Sequence, residues 1–522
     1  MDNENIFRLA KPKRKGLLPL LFSRFLFIVL LLILQVALYV GVYWWLKEYV
    51  TYLSAVMGVF TLLMVIYLFN CEMDATVKLT WMFMIAVFPL PTAFFLFFTK
   101  TNSGQGRIKK RVRKLIDSTK DAIVQPENVL RQVKEDGSGV AALSLYLNRN
   151  GCFPVFDQTD AVYFPVGEEK FAAMLEELKK AEKYIFMEYF ILAEGYMWGR
   201  VLEVLIEKAK AGVDVRVMYD GMCEVSLLPS DYVRRLSKHG IKAKAFSPIM
   251  PVVSSHYNYR DHRKILVIDG RVAFNGGINL ADEYINRVER FGHWKDTAIM
   301  IRGAAVKSFT LLFLQMWNID EKSPEFLPYL EDDGYCPENA DGYVMPYGDC
   351  PLDEDKAGET VYMDILNRAN NYVHIMTPYL ILDGEMETAL KYAAERGVDV
   401  KLILPGIPDK KAAYALAKSH YSSLVRAGVK IYEYTPGFVH AKVFVSDDIK
   451  AVVGTINLDY RSLYHHFECG TFLYRTACIA DIERDFQDTL AKCRQVTPES
   501  IQKEKVSYKL AGSVMKFIAP LM

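Results

Sequence analysis

The sequence predicts an α/β protein built from two related halves, each a mixed, largely parallel sheet flanked by helices, behind an N-terminal helical region. Three observations predict it. After residue 150, apolar β-rich runs alternate with amphipathic helical stretches. The same series of segments then occurs a second time. Ahead of both lie three long charge-free runs.

Those runs come first in the chain. Phe25–Leu46, Tyr49–Phe69 and Leu79–Phe98 each lack a charged residue and approach the roughly 20 residues that cross a hydrocarbon core. Trp44, Trp45 and Trp81 sit near their ends, where indoles favour the interface. The first run is too long for a simple signal peptide and lacks a small-residue cleavage site. Pro89 and Pro91 should break or kink the third. Residues 1–115 are therefore expected to form a membrane-anchoring region with two or three hydrophobic segments. Lys11, Lys13, Arg14, Lys15 and Arg24 precede it; Lys100, Arg107, Lys109, Lys110, Arg111, Arg113 and Lys114 follow it. Both flanks favour the cytoplasmic face, which requires an even number of crossings. The alternative for the second cluster is a solvated basic linker. Net charge is only +1, so the whole molecule is not a polycation. Eight scattered cysteines without C-x-x-C pairs argue against a disulfide framework or a zinc site.

The repeat is legible segment by segment. "AEKYIFMEYFILAEG" (181–195) matches "ANNYVHIMTPYLILDGE" (369–385), "KAGVDVRVMYDG" (210–221) matches "ERGVDVKLILPG" (395–406), and "KHGIKAKAF" (238–246) matches "RAGVKIYEY" (426–434). The halves are expected at 150–330 and 360–500, related by a pseudo-twofold axis. An acidic, Gly- and Pro-containing linker at 331–359 should join them. In the tail, 501–522, Val506, Leu510, Val514, Phe517 and Leu521 fall on one helical stripe. This suits either an interfacial helix or one packed on the core.

The chemistry sits in "HRKILVIDGRVAFNGGIN" (262–279) and "HAKVFVSDDIKAVVGTIN" (440–457). His, Lys, Asp, Gly and Asn recur there at offsets 0, 2, 7, 14 and 17. Alternate residues of a strand share a face, so His262 lies beside Lys264 and His440 beside Lys442. An imidazole plus an ammonium on one face suits an anionic substrate. Asn279 and Asn457 carry amide N–H groups for phosphate oxygens, and Gly276, Gly277 and Gly454 allow close backbone approach. Two such faces brought together match phosphoryl transfer in which lysines and asparagines stabilise charge and histidines handle bond making and protons. Asp269 and Asp447 complete the repeated set as catalytic candidates, although "IDGR" is also a hairpin signal that favours Asp-Gly for backbone reasons. Asp296 in "GHWKDTAIMI" and Glu468 in "HHFECGTFLY" are the acids placed to orient the histidines. The other histidines (239, 256, 293, 374, 420, 465 and 466) show no metal-ligand spacing and are expected to be packed or solvated. No metal or other cofactor is called for.

With these motifs the sequence resembles the phospholipase D superfamily, whose signature is two copies of H-x-K-x4-D, and within it the bacterial cardiolipin synthases. "NYRDHRKILVIDGRVAFNGGINLADEY", "HWKDT", "QMWN", "TPYLILD", "GFVHAKVFVSDD", "VGTINLDYRSLYHHFE" and the membrane module "KLTWMFMIAVFPLP" carry the likeness over residues 75–522. It implies an active site between the halves. It also implies a phosphatidyl-histidine mechanism by which two phosphatidylglycerols give cardiolipin and glycerol. By analogy His262 would be the nucleophile and His440 the acid and then the base, with the reverse also compatible with the sequence. Carried over by position, Asp296 would orient His262 and Glu468 would orient His440, while Lys264, Lys442, Asn279 and Asn457 would hold the phosphate. Expected partners are phosphatidylglycerol, other anionic phospholipids and the membrane, with the catalytic part on the cytoplasmic face of the cell membrane and no nucleic acid. The rivals are a phospholipase D that hydrolyses to phosphatidic acid, a nuclease of the same superfamily, which the apolar runs disfavour, and a non-catalytic scaffold, which the two intact motifs disfavour.

Overall fold

The computed structural model describes residues 7–10, 50–100, 103–247, 259–331, 334–353 and 355–519, with a few isolated positions between 33 and 44. The first apolar run therefore lies almost wholly outside the described residues. The second forms helix α1 (Val50–Phe69). The third is split at Phe88, as its prolines predict, into α2 (Ala75–Val87) and α3 (Pro89–Lys100). Asp74 caps α2 by accepting the N–H groups of Thr76 and Val77. Met64, Leu68, Trp81, Ile85, Ala93 and Leu96 bury a small core among the three helices. Among the described residues no helix is long and apolar enough to cross a membrane.

The basic helix α4 (Ser103–Thr119) is partly spent on docking. Arg111 donates to the carbonyls of Ile319 and Glu321, and Arg113 to that of Leu352, while Val112 and Leu115 are buried. Lys110 and Lys114 stay exposed.

The first half holds β1 (Thr159–Phe164), β2 (Tyr184–Tyr189), β3 (Asp214–Asp220), β4 (Lys242–Phe246), β5 (Arg260–Asp261), β6 (Lys264–Ile268), β7 (Val272–Gly276), β8 (His293–Lys295) and β9 (Ala298–Gly303). Its seven-stranded sheet runs β1-β9-β7-β6-β2-β3-β4. The second half holds β10 (Tyr343–Asp349), β11 (Tyr372–Met376), β12 (Asp399–Pro405), β13 (Lys430–Tyr434), β14 (Gly437–Val439), β15 (Val443–Ser446), β16 (Lys450–Gly454), β17 (His466–Tyr474) and β18 (Cys493–Gln495). Its main sheet runs β10-β17-β16-β15-β11-β12-β13-β18. The three matched segments of the repeat are the parallel triplets β2-β3-β4 and β11-β12-β13.

Two expectations need correction. The sheets are mixed but not largely parallel: outside each triplet every pair within the two main sheets is antiparallel. The cause is local, because each H-x-K strand turns straight back through a tight hairpin, which forces antiparallel pairing. The stretch 331–359 is also not simply a linker. It contains β10, which pairs with β17 along its whole length and is buried except at Tyr343.

The hairpins also settle what Asp269 and Asp447 do. Both take a left-handed backbone, φ 54° in each case. The Asp269 carboxylate accepts the N–H groups of Glu182, Lys183 and Tyr184 at 2.7–2.8 Å. Asp447 accepts those of Asn370, Asn371 and Tyr372 at 2.8–2.9 Å. Each ties the start of β2 or β11 to the turn, at the end of its strand away from the motif lysine, about 16 Å along five residues. The structure thus gives these two aspartates, which the repeat makes catalytic candidates, the structural role that the hairpin signal favours. Asp269→Ala should destabilise the fold by about 2 kcal/mol while leaving activity per folded molecule near that of the parent, as calorimetry with active-site titration would show. A loss matching that of His262→Ala would contradict this.

The C-terminal helix α6 (Val506–Ile518) lies on α5 (Lys411–Arg426). Gly512 permits the approach, since a Cβ there would stand 2.6 Å from the Ala415 carbonyl oxygen. From there α6 reaches the N-terminal helices: Thr80 donates to the Phe517 carbonyl at 3.0 Å, and Phe83 meets the Phe517 ring edge-on. Val506, Leu510 and Val514 remain exposed on its other side. Leu521 lies outside the described residues.

Candidate active site

Each half lends one short strand to the other. β5 pairs in parallel with the start of β17, and the His262 N–H donates to the Phe467 carbonyl at 2.9 Å. β14 pairs in parallel with β8, and the His440 N–H donates to the Lys295 carbonyl at 2.7 Å. These two exchanges set each motif histidine beside an acid of the opposite half. His262 Nδ1 lies 2.8 and 3.0 Å from the Glu468 carboxylate oxygens. His440 Nδ1 lies 2.6 Å from Asp296 Oδ2. Asp296 and Glu468 are therefore the orienting acids, but their partners are the reverse of those expected by position. Linear order cannot reveal which half an edge strand joins.

The acids are themselves held. Thr455 Oγ1 donates to Glu468 Oε2 at 2.5 Å, and the Thr297 N–H to Asp296 Oδ1 at 2.8 Å. Gly277 makes room for Asp296, because a Cβ there would stand 2.0 Å from Oδ1. Gly454 allows β16 to approach β17, where a Cβ would meet the Cys469 carbonyl oxygen at 2.7 Å. Gly277 thus makes room for a side chain and Gly454 for a neighbouring strand, although both are expected at the phosphate. Asn279 accepts the Ile191 N–H and donates to the Tyr284 hydroxyl; Asn457 donates to Ser462 Oγ. Each asparagine keeps one amide N–H for a ligand.

The electrostatics follow from burial. Both histidines and both lysines are buried, and each lysine Nζ turns back to the carbonyl of its own motif histidine. Burial, then the Lys264 and Lys442 charges, holds His262 well below the usual histidine range. Burial and Lys442 bring His440 down to about 4, against the pull of Asp296. Burial lowers Lys264 to about 8 and Lys442 to about 7. Both imidazoles are neutral near pH 7, each anchored through Nδ1 and free to react through Nε2. The Lys442 and His440 charges act on His262 and the Lys264 charge acts on His440, which makes the space between the two sets the candidate cleft.

Four further side chains line it that sequence reasoning did not single out. Phe190 meets His262 edge-on at 4.8 Å, and Tyr284 meets His440 at 5.5 Å. Trp294 lies 5.4 Å from His440, and His466 lies 5.4 Å from His262. For His466 this differs from the packed or solvated place that the sequence predicts. The available signal was its position two residues before Glu468, matching Trp294 before Asp296.

This is the arrangement of a two-histidine phosphodiester-processing site on a duplicated α/β frame. The family described as "Cardiolipin synthase, PLD-like domain" matches residues 174–317 and 362–490. An uncharacterized protein of Streptococcus mutans is 58% identical over 458 residues, 88% of this chain and 99% of its own length. Cardiolipin synthase 2 of Bacillus anthracis is 34% identical over 473 residues, 88% of this chain and 89% of its own. The phosphatidylserine synthase of Haemophilus influenzae Rd KW20 shares the fold, with a TM-score of 0.54 at 16% identity, over 71% of this chain and 97% of that one. The chain belongs to the cardiolipin synthase family of phospholipase D-like enzymes and is a phosphatidyltransferase.

Two outcomes follow from the geometry. Glu468→Gln should lower turnover by about 10²-fold or more, because the neutral amide no longer stabilises a charged His262; steady-state kinetics would show it, and a change below threefold would contradict the crossed pairing. The lysines bind an anion only as ammonium ions, and their depressed values mean that this charge is lost as pH rises through about 7 to 8. Tungstate affinity should therefore weaken from pH 6.5 to 9, with proton uptake on binding near pH 8, measured by calorimetry in two buffers of different ionisation enthalpy.

Proposed function

We propose that the chain joins two phosphatidylglycerols into cardiolipin and glycerol, a reading carried by the crossed His–carboxylate pairs beside two buried lysines. His262 Nε2 attacks the phosphorus of the first lipid. A P–N bond forms as the P–O bond to the head-group glycerol breaks, and His440 delivers its proton to the departing oxygen. The phosphate raises His440 toward the imidazolium form by placing an anion against it, with Asp296 on the other nitrogen. In the second step His440 takes the proton of the terminal hydroxyl of the second lipid. That oxygen attacks phosphorus and His262 leaves. Lys264, Lys442 and the remaining amide N–H groups of Asn279 and Asn457 hold the non-bridging oxygens. The roles of the two histidines are assigned by the family resemblance.

The same reading places the enzyme at the cell membrane, its catalytic halves on the cytoplasmic face. Tyr52, Val56, Val59, Leu62, Leu63, Ile66 and Phe69 of α1 are exposed and apolar, as are Leu79, Phe83 and Val87 of α2 and Val506, Leu510 and Val514 of α6. Lys110 and Lys114 supply charge for anionic head groups. Phe7, Leu9 and Ala10 pack on the first half, with the Leu9 N–H donating to Glu194 and its carbonyl accepting from Arg235. An N-terminal segment seated on the first half supports an even number of crossings between them.

Purified protein in mixed micelles of phosphatidylglycerol should release cardiolipin and glycerol in equal amounts, and His262→Ala or His440→Ala should abolish both. Phosphatidic acid as the main product would replace this reading with hydrolysis.

A further inference from the structure

Trp294 and His466 occupy the same place in the two halves. Each stands two residues before an orienting acid, on a strand that pairs across the halves. Each ring lies 5.4 Å from the histidine which that acid orients, at 45° for Trp294 and 39° for His466. Both side chains are more than nine-tenths buried, at 5% and 8% exposure. The Trp294 indole nitrogen and both His466 ring nitrogens have no hydrogen-bond partner, although Glu468 is only 3.7 Å from His466 Nδ1. A buried polar group without a partner is disfavoured unless a ligand supplies one. Here two of them flank the reacting imidazoles in pseudo-symmetric positions.

A phosphodiester has a matching local twofold symmetry, with two bridging and two non-bridging oxygens. We propose that His466 and Trp294 form a matched pair of ring N–H donors, each to one non-bridging oxygen of the bound phosphodiester. The assignment rests on the phosphoryl-transfer reading of the cleft but adds two substrate-contacting residues to it. Indole can only donate, so Trp294 has one possible use toward an anion. At 3.7 Å the Glu468 carboxylate is too far from His466 Nδ1 to fix its tautomer, so either ring nitrogen can carry the proton. Burial holds that ring down at about 3, hence neutral in the free enzyme, so it adds no charge to a cleft already holding two ammonium groups.

The test compares His466→Phe and Trp294→Phe, which keep an aromatic ring but remove the N–H, with His466→Asn, which restores a donor. Tungstate affinity and phosphatidylglycerol turnover are measured on each, after thermal melting has shown which variants fold. Both phenylalanine variants should bind tungstate at least about tenfold more weakly and turn over at least about tenfold more slowly, and His466→Asn should recover most of the loss. Phenylalanine variants within twofold of the parent in both measurements would overturn the proposal. So would a His466→Phe loss that asparagine does not restore, which would leave His466 a packing residue only. If His466→Phe does not fold, Trp294→Phe and His466→Asn decide by the same two readouts. A parent that binds tungstate but makes no cardiolipin would sink the functional reading while the tungstate comparison still judges the donors.

Discussion

The active site depends on an exchange of backbone. Two short parallel pairings, β5 with β17 and β14 with β8, carry His262 to Phe467 and His440 to Lys295. Without them each histidine would lose its acid, and Glu468 and Asp296 would be buried charges holding only the Thr455 hydroxyl and the Thr297 N–H. A carboxylate at zero exposure is costly unless paired. The inter-half contact is therefore required for the charge balance of the cleft as well as for its shape. Lys295 adds to the same seam by bridging to Asp485 of the second half at 2.7 Å.

Burial also explains how four basic groups coexist there. Burial first, and then the repulsion that further protons would meet from the lysine charges, lowers the proton affinity of all four groups and keeps the imidazoles neutral. The cost falls on the free enzyme and is relieved when an anion enters. Glu188 and Asp261 lie behind His262 with raised values of their own, chiefly from burial, and Arg263 is 3.9 Å from Glu188. The first histidine is thus flanked in sequence by Asp261 and Arg263, with Glu188 of β2 facing the Arg263 guanidinium.

Much of this was legible before any coordinates. The duplicated spacing identified His262, Lys264, His440 and Lys442, and the matched segments became the parallel triplets. Asp296 and Glu468 were found as acids because each follows its motif on a strand. Their partners were not, since pairing across halves is a tertiary fact that a linear repeat leaves undetermined. The glycines misled for a related reason, whereas the "IDGR" hairpin signal already points Asp269 to the turn. Gly276, Gly454, Asp269 and Asp447 recur with the reactive residues because the hairpin strands and their turn need them in both copies, a Cβ on either glycine meeting a neighbouring carbonyl oxygen at 2.5 or 2.7 Å. Trp294 and His466 escaped because they are matched in position and not in residue type.

The contact between Thr80 and Phe517 has a consequence for how the molecule is made. The two residues are 437 apart in the chain, so at about 5–20 residues per second the second is synthesised roughly 20–90 s after the first. The N-terminal helices must wait through that interval with the surface that α6 will cover still open. Docking of the catalytic halves against them is then a late event of biogenesis, and a ribosome stalled in the second repeat would leave a tethered but unclasped intermediate.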